Sequence, residues 1–280
     1  MRIARFSQGS SIYYGALEDE STRIVGLKGD PLFSPVEPSG QIFELDEVRL
    51  LSPVIPRSKV IGLGGNYPAP GAAPSDPPAR PSVFLKPNTT VIGPDDPIVF
   101  PSWGQEVFYE AELAVVIKTL AKDVSVEDAP SVVLGYACAN DLTAADAARE
   151  DGGALGRAKS WDTACPLGPW ITVGSSFDPD NAQITLRING EERGSGSTSQ
   201  MGYSVARIVS YVSGICTLLP GDVILTGTPA GGPLKHGERV EVRRNWDANK
   251  PGDVVIISAR NLSLGWPLNT ATPRFLMTTF

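Results

Sequence analysis

The sequence predicts a mixed α/β protein that is mostly β, on three observations. Short apolar segments bounded by glycine and proline recur along the chain, many of them alternating with period two. The clearest helical period is confined to Tyr203 to Leu219, where Val205, Ile208, Val209, Val212 and Ile215 fall on one face. Ile184 to Ile188 runs into Asn189-Gly190, a pair suited to a type I′ turn with positive φ at both central residues.

Taken in order, residues 1–56 read as a small β-rich unit, with strands near Arg2 to Phe6, Ile12 to Leu17 and Thr22 to Leu27, followed by a turn-rich passage. Ser52-Pro53-Val54-Ile55-Pro56 reads as a linker, which places a second, larger domain over 57–280. That domain opens with an apolar strand running into the glycine turn Gly64-Gly65-Asn66-Tyr67. The prolines from Pro68 to Pro81 forbid helix and ladder pairing, so a loop is expected there. Strands follow at Ser82 to Lys86 and Val107 to Ile117. The apolar run Ser131 to Ala139 ends at Asn140-Asp141, and a helix is expected from Leu142 to Glu150. After the 203–219 helix, Pro220-Gly221-Asp222 turns the chain into a strand at Val223 to Thr226, and Gly227 to Gly232 reads as a glycine-rich loop.

Composition narrows the function. With 41% hydrophobic and 20% charged residues the chain is neither disordered nor of membrane type, and no run approaches the roughly 20 apolar residues of a spanning helix. The N-terminus has no signal-like apolar region, so a cytoplasmic location is expected. A net charge of -7 without a basic block argues against nucleic acid as a partner. Cys138, Cys165 and Cys216 are too widely spaced for a C-x-x-C zinc site, and are expected as reduced thiols.

The chemistry concentrates in Glu106 to Ile117. Strand side chains alternate, so Glu110 and Glu112 project the same way about 7 Å apart, from a segment otherwise strongly apolar. One reading puts them on the wet face of an antiparallel strand. The other adds Asp141, at the end of the next apolar run, giving three oxygens that suit Mg²⁺ or Mn²⁺. Asp141 also has a competing role as the N-cap of the helix after it. The lone histidine, His236, falls in a Lys-His-Gly loop as an exposed turn residue.

Four ordered blocks then carry a resemblance. Tyr109-Glu110-Ala111-Glu112-Leu113-Ala114; Gly135-Tyr136 with Asn140-Asp141; Lys159-Ser160-Trp161-Asp162-Thr163 with Pro166-Leu167-Gly168-Pro169-Trp170; and Pro220 to Pro229 together resemble the fumarylacetoacetate hydrolase family. The resemblance spans about Lys59 to Val242, with a poor match before residue 57 and beyond Arg243. It implies a β-roll catalytic domain, a homodimer, and a divalent cation held by Glu110, Glu112 and Asp141. It also implies an active-site role for Lys159, which beside a developing oxyanion supplies a proton or positive charge, and a substrate-side position for Lys86. The competing readings are a lysine packed on Trp161 and a surface lysine. Gly227 and the Thr228 hydroxyl are candidate donors to a substrate carboxylate, unless the loop is only a tight turn.

The chain departs from the family at the lid. Hydrolytic members carry a histidine and a glutamate at the positions occupied here by Pro70 and Ala73. That pair activates water, so its absence favours chemistry that needs none: isomerisation, tautomerisation or decarboxylation of a small 2-oxo or 1,3-diketo acid through a metal-chelated enolate. For isomerisation Lys159 is the candidate proton donor and acceptor, with Asp76, Glu106 or Glu150 as helpers. Two alternatives stay open. One is C–C hydrolysis of an acylpyruvate or fumarylacetoacetate type, with Asp76 or Glu150 as replacement base; the other is a non-catalytic metal- or ligand-binding protein.

Overall fold

The computed structural model describes residues 1–17, 21–69, 72, 79–94, 96–174, 177–245 and 253–258, with backbone only for 243–245 and 253–258. Pro70, Ala73 and Asp76 lie outside the described residues, as does everything beyond Ser258.

The first region holds β1 (Arg2–Gln8), β2 (Ser11–Leu17), β3 (Arg23–Leu27), β4 (Pro38–Glu44) and β5 (Arg49–Leu51). The chain continues through β6 (Val60–Gly64), β7 (Ser82–Lys86), β8 (Val91–Ile92), β9 (Val107–Ile117), β10 (Val133–Asn140) and β11 (Thr143–Ala144). Two short helices, α1 (Ala145–Glu150) and α2 (Leu155–Lys159), precede β12 (Cys165–Thr172), β13 (Gln183–Ile188) and β14 (Glu191–Ser197). The longer helix α3 (Val205–Ile215) leads into β15 (Val223–Leu225), β16 (Ala230–Leu234), β17 (Arg239–Asn245) and β18 (Asp253–Ser258). The fold is mostly β, as the sequence predicts.

A large sheet runs in the order β4-β3-β2-β1-β12-β10-β9-β15-β6-β7, and β13, β14, β17 and β18 form a second sheet. The N-terminal strands join the large sheet through β1 on β12, where Arg2 faces Thr172. Strand β9 lies at its centre, paired with β10 and β11 on one edge and with β15 and β16 on the other. Its two faces feed two cores: Val107, Leu113, Val115 and Ile117 pack with Ile61 and α3, while Ala114 and Val116 pack with Val60, Leu167 and Val223. From Ala111 to Ile117 both faces are buried, so Glu112 lies on no wet face, while the Glu110 side chain keeps 24% of its surface exposed.

Local chemistry explains the elements. Asn189 and Gly190 adopt φ of 53° and 87°, so the β13–β14 hairpin has the predicted turn. Ser204 caps α3 by accepting from the Arg207 N–H.

Several boundaries differ from expectation. Strand β4 is absent from the sequence reading; it begins at a proline and lies at the sheet edge, where a missing N–H is tolerated. The expected helix from Leu142 starts at Ala145, because Thr143 and Ala144 pair with Phe108 and Val107 instead. Helix α3 stops at Ile215, which is 54% exposed, since Cys216 adopts an extended backbone and Leu218 pairs with Ala121. Half of the expected glycine loop is strand β16, with Gly231 opposite Glu110.

Candidate metal centre

Register brings the acidic residues together. In the antiparallel β9–β10 pair, Ala139 faces Glu112 and Asn140 faces Ala111, so Asp141, one residue on, arrives beside Glu110 and donates its N–H to the Glu110 carbonyl at 2.9 Å. One carboxylate oxygen from each of Glu110, Glu112 and Asp141 lies within 4.8 Å of the others. Asp141 is no helix cap, because Ala144 occupies the N-cap of α1.

Each carboxylate has its own partners, and Lys159 is shared by two of them. Glu110 accepts from the Thr143 hydroxyl at 2.6 Å and from Lys159 Nζ at 2.8 Å, while its own N–H donates to Asn140 Oδ1 at 2.9 Å. Glu112 accepts from the Gly227 N–H at 2.7 Å. Asp141 Oδ2 is 2.8 Å from Lys159 Nζ, which also donates to the Asp141 carbonyl at 3.0 Å. Asp141 Oδ1 is 2.7 Å from Lys86 Nζ, at ion-pair distance but outside hydrogen-bond alignment.

Burial makes these charges consequential. Glu112 is 2% exposed, Asp141 1%, Lys159 3% and Lys86 1%. Burial, followed by the nearby charges of Asp141 and Glu110, pushes the Glu112 carboxyl well above its usual range. Burial also acts to raise Asp141, but Lys159 and then Lys86 outweigh it and hold the carboxyl low. Lys159 is raised, because Asp141 and Glu110 overcome the opposite pull of burial. Three carboxylates thus face two ammonium groups, and the surplus negative charge sits among oxygens only. A hard divalent cation fits that donor set and would relieve the repulsion felt by Glu112.

Of the cluster, Glu110, Glu112 and Lys159 line a cavity of about 280 Å³ together with Leu63, Tyr67, Phe84, Thr143, Leu155 and Thr228; Asp141 does not line it. A second cavity of about 520 Å³ shares Tyr67 and Thr228 with it and is bordered by Ser195 and Gln200. Lys159 sits at the end of α2 with its ammonium 5.1 Å over the Phe84 ring. Lys86 faces Asp141 from the protein interior and is not among the residues lining either of these cavities. The Thr228 hydroxyl, although on the wall, lies 2.8 Å from the Ala111 carbonyl and 2.7 Å from that of Ala230.

Other candidates lie elsewhere. Glu106 pairs with Arg149 and Glu150 with Arg157, all on the exposed surface. His236 is an exposed turn residue whose ring lies tilted against that of Phe100, centroids 4.2 Å apart. Cys138 and Cys165 are buried free thiols and Cys216 is half-buried.

Sequence reasoning missed Asn66 and Thr143. The Asn66 amide bonds the Thr226 carbonyl at 2.9 Å and accepts from the Tyr203 N–H at 2.9 Å, which ties the glycine turn after β6 to the approaches of α3 and to the end of β15. Only its place after Gly64-Gly65 signals it; Thr143 carries no local signal.

Comparison with known proteins places this geometry. Residues 59–263 match Fumarylacetoacetate (FAA) hydrolase C-terminal, some 20 residues beyond the Val242 limit of the sequence resemblance, and residues 1–53 match Rv2993c-like, N-terminal. Protein Rv2993c of Mycobacterium tuberculosis is 39% identical over 86% of this chain and 93% of its own length. The mitochondrial oxaloacetate tautomerase FAHD2A of Homo sapiens is 42% identical over 66% of this chain and 60% of its own. Among solved structures, 5-carboxymethyl-2-hydroxymuconate delta-isomerase from Mycobacterium smegmatis superposes with a TM-score of 0.83 at 36% identity, covering 93% of this chain and 99% of that one. The chain belongs to the fumarylacetoacetate hydrolase family.

Proposed function

We propose that this protein is a Mg²⁺- or Mn²⁺-dependent enzyme that isomerises or tautomerises a small 2-oxo or 1,3-diketo acid, with decarboxylation as a related outcome. The observation that carries the proposal is the placement of Lys159: its ammonium bridges Glu110 and Asp141 at 2.8 Å on the wall of a largely apolar cavity.

The divalent cation, when held by Glu110, Glu112 and Asp141, supplies a Lewis acid that polarises the oxo group. Lys159 holds a proton at Nζ and a fixed positive charge where negative charge develops on the substrate oxygen. Leu63, Phe84 and Leu155 line the same cavity and limit the water that reaches the reacting carbon. Migration of a double bond or a keto–enol shift needs no activated water: Lys159 Nζ gives its proton to one substrate atom and, as the resulting neutral amine, takes one from the other, so the lysine is restored. Among the described residues lining this cavity there is no histidine, and Glu106 and Glu150 are committed to surface arginines. The named activities of the relatives, a tautomerase and a delta-isomerase, point the same way.

The test is an NMR time course with Mg²⁺ or Mn²⁺ and EDTA controls on oxaloacetate, an acylpyruvate and a 2-hydroxymuconate-type dienoate. Metal-dependent tautomer exchange, double-bond migration or loss of CO₂ is expected. Metal-dependent release of two carboxylic acids from the acylpyruvate would instead establish C–C hydrolysis, and no turnover by a metal-loaded protein would leave a binding role. We further propose a homodimer, in keeping with the family, for which light scattering after gel filtration is the check.

A further inference from the structure

We propose that Lys86 is a positioning residue that fixes Asp141 for cation binding from behind, and that it does not contact the substrate. The inference rests on the metal-dependent reading above, and it reassigns a residue that sequence comparison puts on the substrate side.

Three observations carry it. Lys86 ends β7, opposite Val60 of β6, and its side chain is completely shielded from solvent. Its Nζ lies 2.7 Å from Asp141 Oδ1, while Lys159 takes Asp141 Oδ2, so the two ammonium groups hold the carboxylate by both oxygens. The cavity is lined by Phe84, two residues before it on the same strand, and by Lys159, but not by Lys86. A substrate in that cavity meets Lys159, whereas neither Asp141 nor Lys86 lines it.

The chemical sense follows. A buried ammonium is tolerated only against a partner charge, and among the described residues Asp141 is the carboxylate at ion-pair distance. Lys86 therefore fixes the orientation of the Asp141 carboxylate before a cation arrives. Groups that orient a metal ligand in this way typically change metal affinity about 10- to 100-fold when removed.

The test uses full-length protein carrying Lys86→Met, Asp141→Asn or both. Mn²⁺ affinity is read by electron paramagnetic resonance, and oxalate, as a probe for a 2-oxo carboxylate, is titrated at saturating Mn²⁺. Lys86→Met is expected to weaken Mn²⁺ binding about 10- to 100-fold while oxalate affinity of the loaded protein stays within about twofold. Because Lys86 acts through Asp141, the double variant is expected to lose little more than Asp141→Asn alone. Unchanged or tighter Mn²⁺ binding, or a selective loss of oxalate affinity, overturns the assignment. If Lys86→Met does not fold, removal of the stranded carboxylate in the double variant is expected to recover folded protein; failure to do so also counts against it. Wild-type protein that binds no Mn²⁺ overturns the metal reading itself and the role of Lys86 with it.

Discussion

Two buried aspartates, each paired with lysine, sit at opposite purposes in this fold. Asp222, at the turn into β15, is fully buried and accepts from Lys59 Nζ at 2.5 Å, the Lys59 N–H at 3.1 Å and the Leu219 N–H at 2.8 Å. One carboxylate meets one ammonium and two backbone donors, so the charge is balanced and its lone pairs are used. Asp141, at the end of β10, belongs to a group of three carboxylates and two lysines in which Glu112 has a single backbone donor. The first arrangement locks β6 to β15; the second leaves a charge imbalance beside a cavity. A buried charge becomes evidence of function where its neighbours fail to neutralise it.

The comparison breaks most visibly at Lys159. Lys159→Met is expected to lower kcat by about 10² to 10⁴, or roughly 3 to 5 kcal/mol of barrier, on whichever oxo acid proves active. The measurement is steady-state kinetics at saturating metal, and a loss confined to KM would reduce Lys159 to a binding group.

Asp222→Ala is expected to give the converse result. Leaving the Lys59 and Leu219 N–H groups and the Lys59 ammonium without their carboxylate should destabilise the protein by roughly 3 to 5 kcal/mol, a fall in Tm of about 6 to 20 °C for a chain of this size. Metal affinity in the folded fraction should be unchanged. Differential scanning calorimetry and Mg²⁺ titration separate the two, and a loss of metal affinity would show that the turn and the site are coupled.

Much of this contrast was legible in the sequence, for a physical reason. Strand alternation puts Glu110 and Glu112 on one side of β9 whatever packs around them, and the apolar run before Asp141 marks the end of a strand. Asn189-Gly190 specifies its hairpin without help from the rest of the chain. What stayed hidden depends on distant partners. Strands β11 and β16 exist only because β9 offers free backbone groups at Val107 to Ala111. Gly227, expected as a substrate donor, gives its N–H to Glu112 across 115 positions of sequence, and nothing local announces that bond.

Gly227 therefore sharpens the comparison from the side of Glu112. Its φ is +91°, and a Cβ there would stand 3.3 Å from Asn66 Cβ and from the Leu63 carbonyl. Gly227→Ala is expected to cost about 1 to 2 kcal/mol of stability from the left-handed backbone. A weakening of metal binding by a few fold should accompany it, as the strained backbone shifts its N–H away from Glu112. If only the melting temperature moves, the N–H of Gly227 has no part in ligand orientation.

The smallest effect is also the most diagnostic, because it reads the imbalance as protons. Glu112 is raised by burial and by Asp141 and Glu110, so the metal-free folded state keeps its proton at a pH where the unfolded chain has lost it. Stability of the metal-free protein should consequently fall as pH climbs from the ordinary carboxylate range through the raised value. Asp141 has the opposite sign: Lys159 and Lys86 overcome burial and depress it, so its contribution is present above the ordinary range and lost as pH falls through the depressed value. Cation binding requires Glu112 ionised, hence Mg²⁺ affinity should rise with pH and binding should release protons. Calorimetric titration in buffers of different ionisation enthalpy measures that release directly. Glu112→Gln should abolish it, whereas Asp222→Asn should leave it intact. Equal heats in all buffers at a pH below the raised value would mean that Lys159 and the Gly227 N–H already hold Glu112 ionised, and that the surplus charge is balanced before any metal arrives.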